Sequence, residues 1–162
     1  MIKVIKSDKE LVESVQVIRT SFLTVADCFN LTIENAPTNP AFITFERLKE
    51  LKNKELKLYG LYNKPNNKQI GFIAIEKANN SLYYMEKLCI LPQFRHNGFG
   101  KKIIDFVFNY VKKNDGDKVS IGIINENKIL KKYYIKNGFI ETDLKKFKHL
   151  PFTVCFMEKM LK

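Results

Sequence analysis

The sequence predicts an α+β domain with helices flanking a mixed sheet, and three observations carry that expectation. Runs at 56–62, 70–76 and 82–91 are rich in apolar, β-forming residues and are separated by Pro65-Asn66-Asn67 and Asn79-Asn80, so they read as successive antiparallel strands. A helical segment follows in which Ile103, Ile104, Val107, Phe108 and Val111, with Phe99 and Phe106, form an apolar arc wide enough to pack against a sheet. Beyond it come a strand at 119–124, a helix at 126–136 and strands near 139–143 and 153–158. Strands, helix, strand, helix and strands in that order define the class.

Residues 3–6 read as a first strand, and Ser7-Asp8-Lys9-Glu10 has the form of a capping box, in which the serine accepts from an amide three residues on while Glu10 reaches back. A helix therefore starts there and runs to about Cys28, with Leu11, Val15, Ile18, Phe22 and Val25 toward the core. Pro37 and Pro40 make 35–40 a loop, and Thr44 caps a short helix through Leu51. The helix at 126–136 sets Ile129, Leu130, Tyr133 and Tyr134 along one face. With 162 residues and 45% hydrophobic content, the chain is expected to form a single domain, 1–162, around a sizeable core.

Composition narrows the function classes. No apolar stretch approaches the ~20 residues needed to span a bilayer, and Met1-Ile2-Lys3-Val4-Ile5 lacks a signal-peptide core, so a cytoplasmic, non-membrane protein is expected. The formal charge of +11 invites a nucleic-acid partner, but the lysines are scattered and only three arginines accompany them, which argues against one. Cys28, Cys89 and Cys155 form no CxxC pair and lie in apolar runs, as buried free thiols would. With only His96 and His149 beside them, no metal-ligand spacing exists and no metal is expected.

The junction Arg95-His96-Asn97-Gly98-Phe99-Gly100, followed by Lys101 and Lys102, joins a strand run to the apolar helix. Glycines there allow backbone amides to turn toward a pyrophosphate, and the positive end of the helix adds attraction; the plainer reading is a tight turn before a helix. The flanks favour the first. Leu88-Cys89-Ile90-Leu91-Pro92, then Arg95-x-x-Gly98-x-Gly100, then Asn127 and Tyr134-x-x-x-Gly138-Phe139, resemble the GCN5-related N-acetyltransferase (GNAT) family, strongly over 70–140 and loosely elsewhere.

The resemblance implies a GNAT-like, mostly antiparallel mixed sheet, acetyl-CoA as co-substrate and an amine of a small molecule or peptide as acceptor. It places the backbone of Leu88, Cys89 and Ile90 along the pantetheine arm and the turn from Arg95 through His96, Asn97, Gly98, Phe99, Gly100 and Lys101 around the pyrophosphate, His96 through its amide. Asn127 falls beside the pantetheine, and Tyr134 beside the sulfur as general acid, with Tyr133 as its packing neighbour. Glu86 occupies the position of a base that deprotonates the amine directly or through water. Burial between Tyr84 and Leu88 would raise its pKa, whereas pairing with Lys87 would make it an ordinary surface glutamate.

The acceptor is expected on the N-terminal helices and the 30–44 loop, where Phe22, Phe29, Phe42 and Phe45 form either an aromatic wall or core packing. Glu34, Glu46 and Tyr84 are candidates to attract a cationic amine, and His149 is either pocket lining or a loop residue. An acetyl-CoA-dependent N-acetyltransferase is the leading reading and a catalytically inactive CoA-binding or sensor module the alternative; a homodimer is compatible with either.

Overall fold

In the computed structural model, which describes residues 1–162, the chain runs β1 (Ile2–Val4), α1 (Asp8–Cys28), α2 (Phe45–Asn53), β2 (Lys57–Tyr62), β3 (Gln69–Lys77), β4 (Leu82–Ile90), α3 (Phe99–Lys113), β5 (Lys118–Ile124), α4 (Lys128–Lys136), β6 (Ile140–Lys146) and β7 (Thr153–Met160). All seven strands join one sheet in the order β1-β2-β3-β4-β5-β7-β6. Every neighbouring pair is antiparallel except β4 with β5, which is parallel. The expected mixed, mostly antiparallel α+β architecture is what the chain adopts.

The capping box forms. Ser7 Oγ accepts the Glu10 amide at 3.2 Å, and Glu10 Oε2 accepts the amides of Ser7 and Lys6 at 2.8 Å each. These bonds hold the Glu10 carboxyl below its ordinary pKa, and they explain why β1 ends at Val4 rather than Lys6: the Lys6 amide is committed to the helix cap. Thr44 caps α2 in the same way, accepting the Arg47 amide at 3.2 Å.

Two cores form, one on each face. Leu11, Val15, Val17 and Ile18 of α1 and Leu48 and Leu51 of α2 meet Leu58, Phe72, Ala74 and Cys89 on one side. On the other, Ile103, Ile104, Val107 and Val111 of α3 and Tyr134 of α4 meet Ile73, Met85, Ile90, Val119, Ile121 and Met157. The wide apolar arc of α3 is thus explained by sheet burial.

Two expectations about burial do not hold. Ile129 is 85% exposed, because the buried face of α4 centres on Tyr134, with Leu130 and Tyr133 beside it, and Ile129 lies on the first turn away from the sheet. Cys28 is free, as expected, yet exposed at the last turn of α1, while Cys89 and Cys155 are buried.

Candidate functional site

Strand β4 is paired with β5 at three positions only, Leu82↔Lys118, Tyr83↔Val119 and Tyr84↔Ser120, after which the two strands part. Beyond Tyr84 the β5-facing edge of β4 has no strand partner, whereas its other edge stays paired with β3 as far as Gly71↔Ile90. Unpaired backbone groups along such an edge are ready to bond an extended ligand. A cavity of about 790 Å³ passes through the gap. Asn127, Leu130 and Tyr134 line it on the α4 side, and Glu86, Ser120, Phe156 and Glu158 on the α1 side.

A bulge shapes this edge. Ala74 pairs with Glu86 and Phe72 with Cys89, so Ile73 alone faces Lys87 and Leu88, and Lys87 takes a left-handed φ of 56°. Glu86 and Cys89 consequently share the α1 face, while Leu88 and Ile90 pack with the α3 core.

The turn after β4 is built to present its backbone. His96 (φ 62°) and Gly98 (φ 78°) both adopt left-handed conformations, and nothing lies within 4 Å of where a Gly98 side chain would start. Gly98 is the N-cap of α3 and supplies no side-chain cap, so the first amides of the helix face outward with no acidic residue in the first turn. This chemistry fits an anionic phosphate group. At Gly100 a Cβ would lie 2.7 Å from Tyr133 Oη, so a side chain there must displace that hydroxyl.

The side chains of the turn have other work. Arg95 donates from Nε to Ile90 O at 3.1 Å, from one terminal nitrogen to Thr24 Oγ1 at 3.1 Å and from the other to Ser21 O at 2.9 Å, tying the turn to α1. Asn97 Nδ2 donates to Arg95 O at 2.8 Å and folds the turn on itself. Lys101 pairs with Asp105, and His96 is exposed.

Tyr134 is 5% exposed and lines the cavity, its hydroxyl without a partner in the chain. Burial, then the neighbouring Tyr133 and Cys89, push its pKa up, so it carries its proton throughout the neutral range. Asn127 caps α4, accepting the Leu130 amide at 3.2 Å through Oδ1. Glu86 is not buried: its side chain is 36% exposed and lies 3.2 Å from Lys87 Nζ. Glu76 stands against it on the same face, and burial followed by the Glu86 carboxylate raises the Glu76 pKa while Lys87 opposes the shift.

Of the aromatic candidates only Phe22 lines the cavity. Phe29 and Phe42 pack against Ala26, Leu31, Ala36 and Ala41, and Phe45 against the α1–α2 core. Tyr84 lines the cavity but Glu34 and Glu46 do not, and His149 lies 5.6 Å from the Phe147 ring outside it. The lining residues that sequence reasoning missed include Ser120, Asp143, Phe152, Phe156 and Glu158. For Phe156 and Glu158 alternation gave the shared face, since with Val154 they recur at a spacing of two along β7, but not the neighbour that face meets.

The model of the acetyltransferase (GNAT) domain matches residues 34–160. The ribosomal-protein-S18-alanine N-acetyltransferase of Escherichia coli superposes with a TM-score of 0.77 at 10% identity, covering 100% of this chain and 94% of that one. A GNAT-family acetyltransferase of Staphylococcus aureus Mu50 gives 0.72 at 20% identity with both chains fully covered. One from Elizabethkingia anophelis with acetyl-CoA bound gives 0.61 at 19% identity, covering 71% and 82%. A family match over most of the chain, on a sheet parted at β4 and β5 with an open-amide turn beside it, leads to one conclusion: this chain belongs to the GNAT acetyltransferases, which use acetyl-CoA.

Proposed function

We propose that the chain transfers an acetyl group from acetyl-CoA to a primary amine of a small molecule or peptide by direct attack. The observation that carries this reading is the slot between β4 and β5, which joins the α4 side, with Tyr134, to the α1 side, with Glu86. The amides of residues 96–101 would hold the pyrophosphate, and the open edge at Leu88, Cys89 and Ile90, with Asn127, the pantetheine. Acetyl-CoA bound there supplies an activated acetyl thioester.

Glu86 receives the proton that the attacking amine must lose, with Lys87 beside it holding the carboxylate in place. Tyr134 gives its proton to the departing sulfur, and burial keeps that proton available up to high pH. Backbone amides on the open edge of β4 stabilise the charge that develops on the carbonyl oxygen.

Tyr134→Phe tests the assignment. Free-thiol release should fall about 100-fold, within the range for a general acid, while calorimetry shows CoA binding within a factor of two or so of the parent. Undiminished release would remove Tyr134 from the acid role; CoA binding without release for any amine in the parent protein would favour a sensor.

A further inference from the structure

The acceptor side of the slot is acidic in a chain whose formal charge is +11. Glu86, Asp143 and Glu158 line it against a single lysine, Lys87, whose charge is already engaged by Glu86 at 3.2 Å. Adding the adjoining Glu76 and the Lys118 that lies 3.2 Å from Glu158 leaves four carboxyls against two ammonium groups. Scattered lysines elsewhere make this local reversal of sign informative about what enters.

A second observation points to a ligand. Tyr84, Ser120 and Glu158 occupy one cross-strand row, Tyr84↔Ser120↔Glu158, on the cavity face. Ser120 is 7% exposed, lines the cavity and has a hydroxyl with no partner in the chain. That oxygen opens on the cavity instead of being sealed among atoms of the chain, so it is free to bond a group held there. Phe22, Phe152 and Phe156 supply apolar walls between the charged ends.

Spacing sets the ligand's shape. Glu86 lies two residues beyond Tyr84 on β4, and Glu158 lies two strands away on β7. At ~4.8 Å between strands and ~3.3 Å per residue, their backbones stand roughly 12 Å apart. Two glutamates rooted that far apart, with an apolar wall between them, suit two cations joined by an alkyl spacer.

We infer that the acceptor is a dicationic amine, one nitrogen presented at Glu86 for acetylation and the second ammonium held by Glu158, Asp143 and the Ser120 hydroxyl. The inference rests on the acetyl-transfer reading of the slot. The reacting ammonium loses one proton to Glu86, its nitrogen bonds the acetyl carbon as the carbon–sulfur bond breaks, Tyr134 protonates the sulfur, and the second nitrogen proton returns Tyr134 to its phenol form. The products are the mono-acetylated cation, free CoA thiol and one proton.

The test compares thiol release by the full chain with α,ω-diamines of four to ten carbons, the matching monoamines and the matching ω-amino carboxylates. The best diamine should exceed its monoamine at least ~10-fold in kcat/KM and its amino carboxylate by ~100-fold, with the first ratio shrinking as salt rises. Glu158→Gln should cut the diamine-to-monoamine ratio ~10-fold, mainly through KM, and the exposed Asp143→Asn by less. Equal use of monoamines, a preference for amino carboxylates, or an unchanged ratio in Glu158→Gln overturns the inference while leaving acetyl transfer intact. If no amine releases thiol, the acetyl-transfer reading fails, and titration of diamine and monoamine into the CoA-saturated chain decides the inference alone: selective diamine binding supports it, and equal or absent binding overturns it.

Discussion

Strand β4 meets its two neighbours in opposite ways. Toward β3 it is paired along its length with one bulge, and a Cβ on Gly71 there would meet Ile90 Cδ1 at 2.7 Å and Cys89 O at 2.9 Å. Toward β5 it makes three pairs and then departs. The closed seam joins backbone to backbone and needs no ligand. The open seam leaves polar backbone groups that only a ligand or water can satisfy, so the binding capacity of the sheet comes from withholding pairing at one edge.

Filling the mouth of the open seam should have the largest effect. In Gly100→Val the new side chain meets Tyr133 Oη and obstructs the turn, so CoA affinity measured by calorimetry should fall about 100-fold, roughly 2.7 kcal/mol, with circular dichroism unchanged. Retained affinity would mean that the turn is not the phosphate site. Loosening the end of the closed seam comes next. Arg95→Met removes three hydrogen bonds from a charged donor and should cost about 2–3 kcal/mol in urea unfolding, with CoA affinity falling about 10-fold as the turn loses its tie to α1. An unchanged unfolding midpoint would show those bonds to be worth little.

The smallest effect separates the two faces by pH. Burial pushes Cys89 and Tyr62 on the α1 face up to about 12, and Tyr134 at the slot is raised as well. Each group is neutral when protonated and has its folded pKa above its unfolded one. Stability should therefore be level up to about pH 9, where an unfolded cysteine begins to ionise, and should fall as pH rises toward 12. Cys89→Ala should make the fall above pH 9 shallower, with buried Cys155, whose thiol is also raised, carrying the remainder until unfolded tyrosines join near pH 10. Denaturant midpoints against pH would show it; a slope between pH 9 and 10 as steep as the parent's would assign the effect to other groups.

The cofactor side was legible because it is contiguous. Residues 95–101, the capping box at Ser7 and the arc of α3 each sit within a few positions, where glycines, caps and periodicity speak directly. The acceptor side was not, because it is assembled across strands far apart in the chain. Glu158 reaches the slot only through the β5–β7 register, which no local pattern specifies, and Asp143 through a further pairing with Phe156. Phe29, Phe42 and Phe45 looked like a pocket from composition and proved to be packing, since aromatic residues serve both uses. Strict alternation misread β4 itself: it sets Glu86 and Leu88 on one face, and the bulge sets them on opposite ones.

That bulge has a consequence for chain length. Because Lys87 and Leu88 together oppose Ile73 alone, deleting Lys87 would leave Glu86, Leu88 and Cys89 on the faces they now occupy, with no apolar side chain turned out to water. What the deletion would remove is the bend, since a bulged strand curves and twists more than a regular one. The residue at 87 thus adds curvature rather than pattern. A chain one residue shorter would keep its core, straighten β4 alongside β5 and narrow the passage between them.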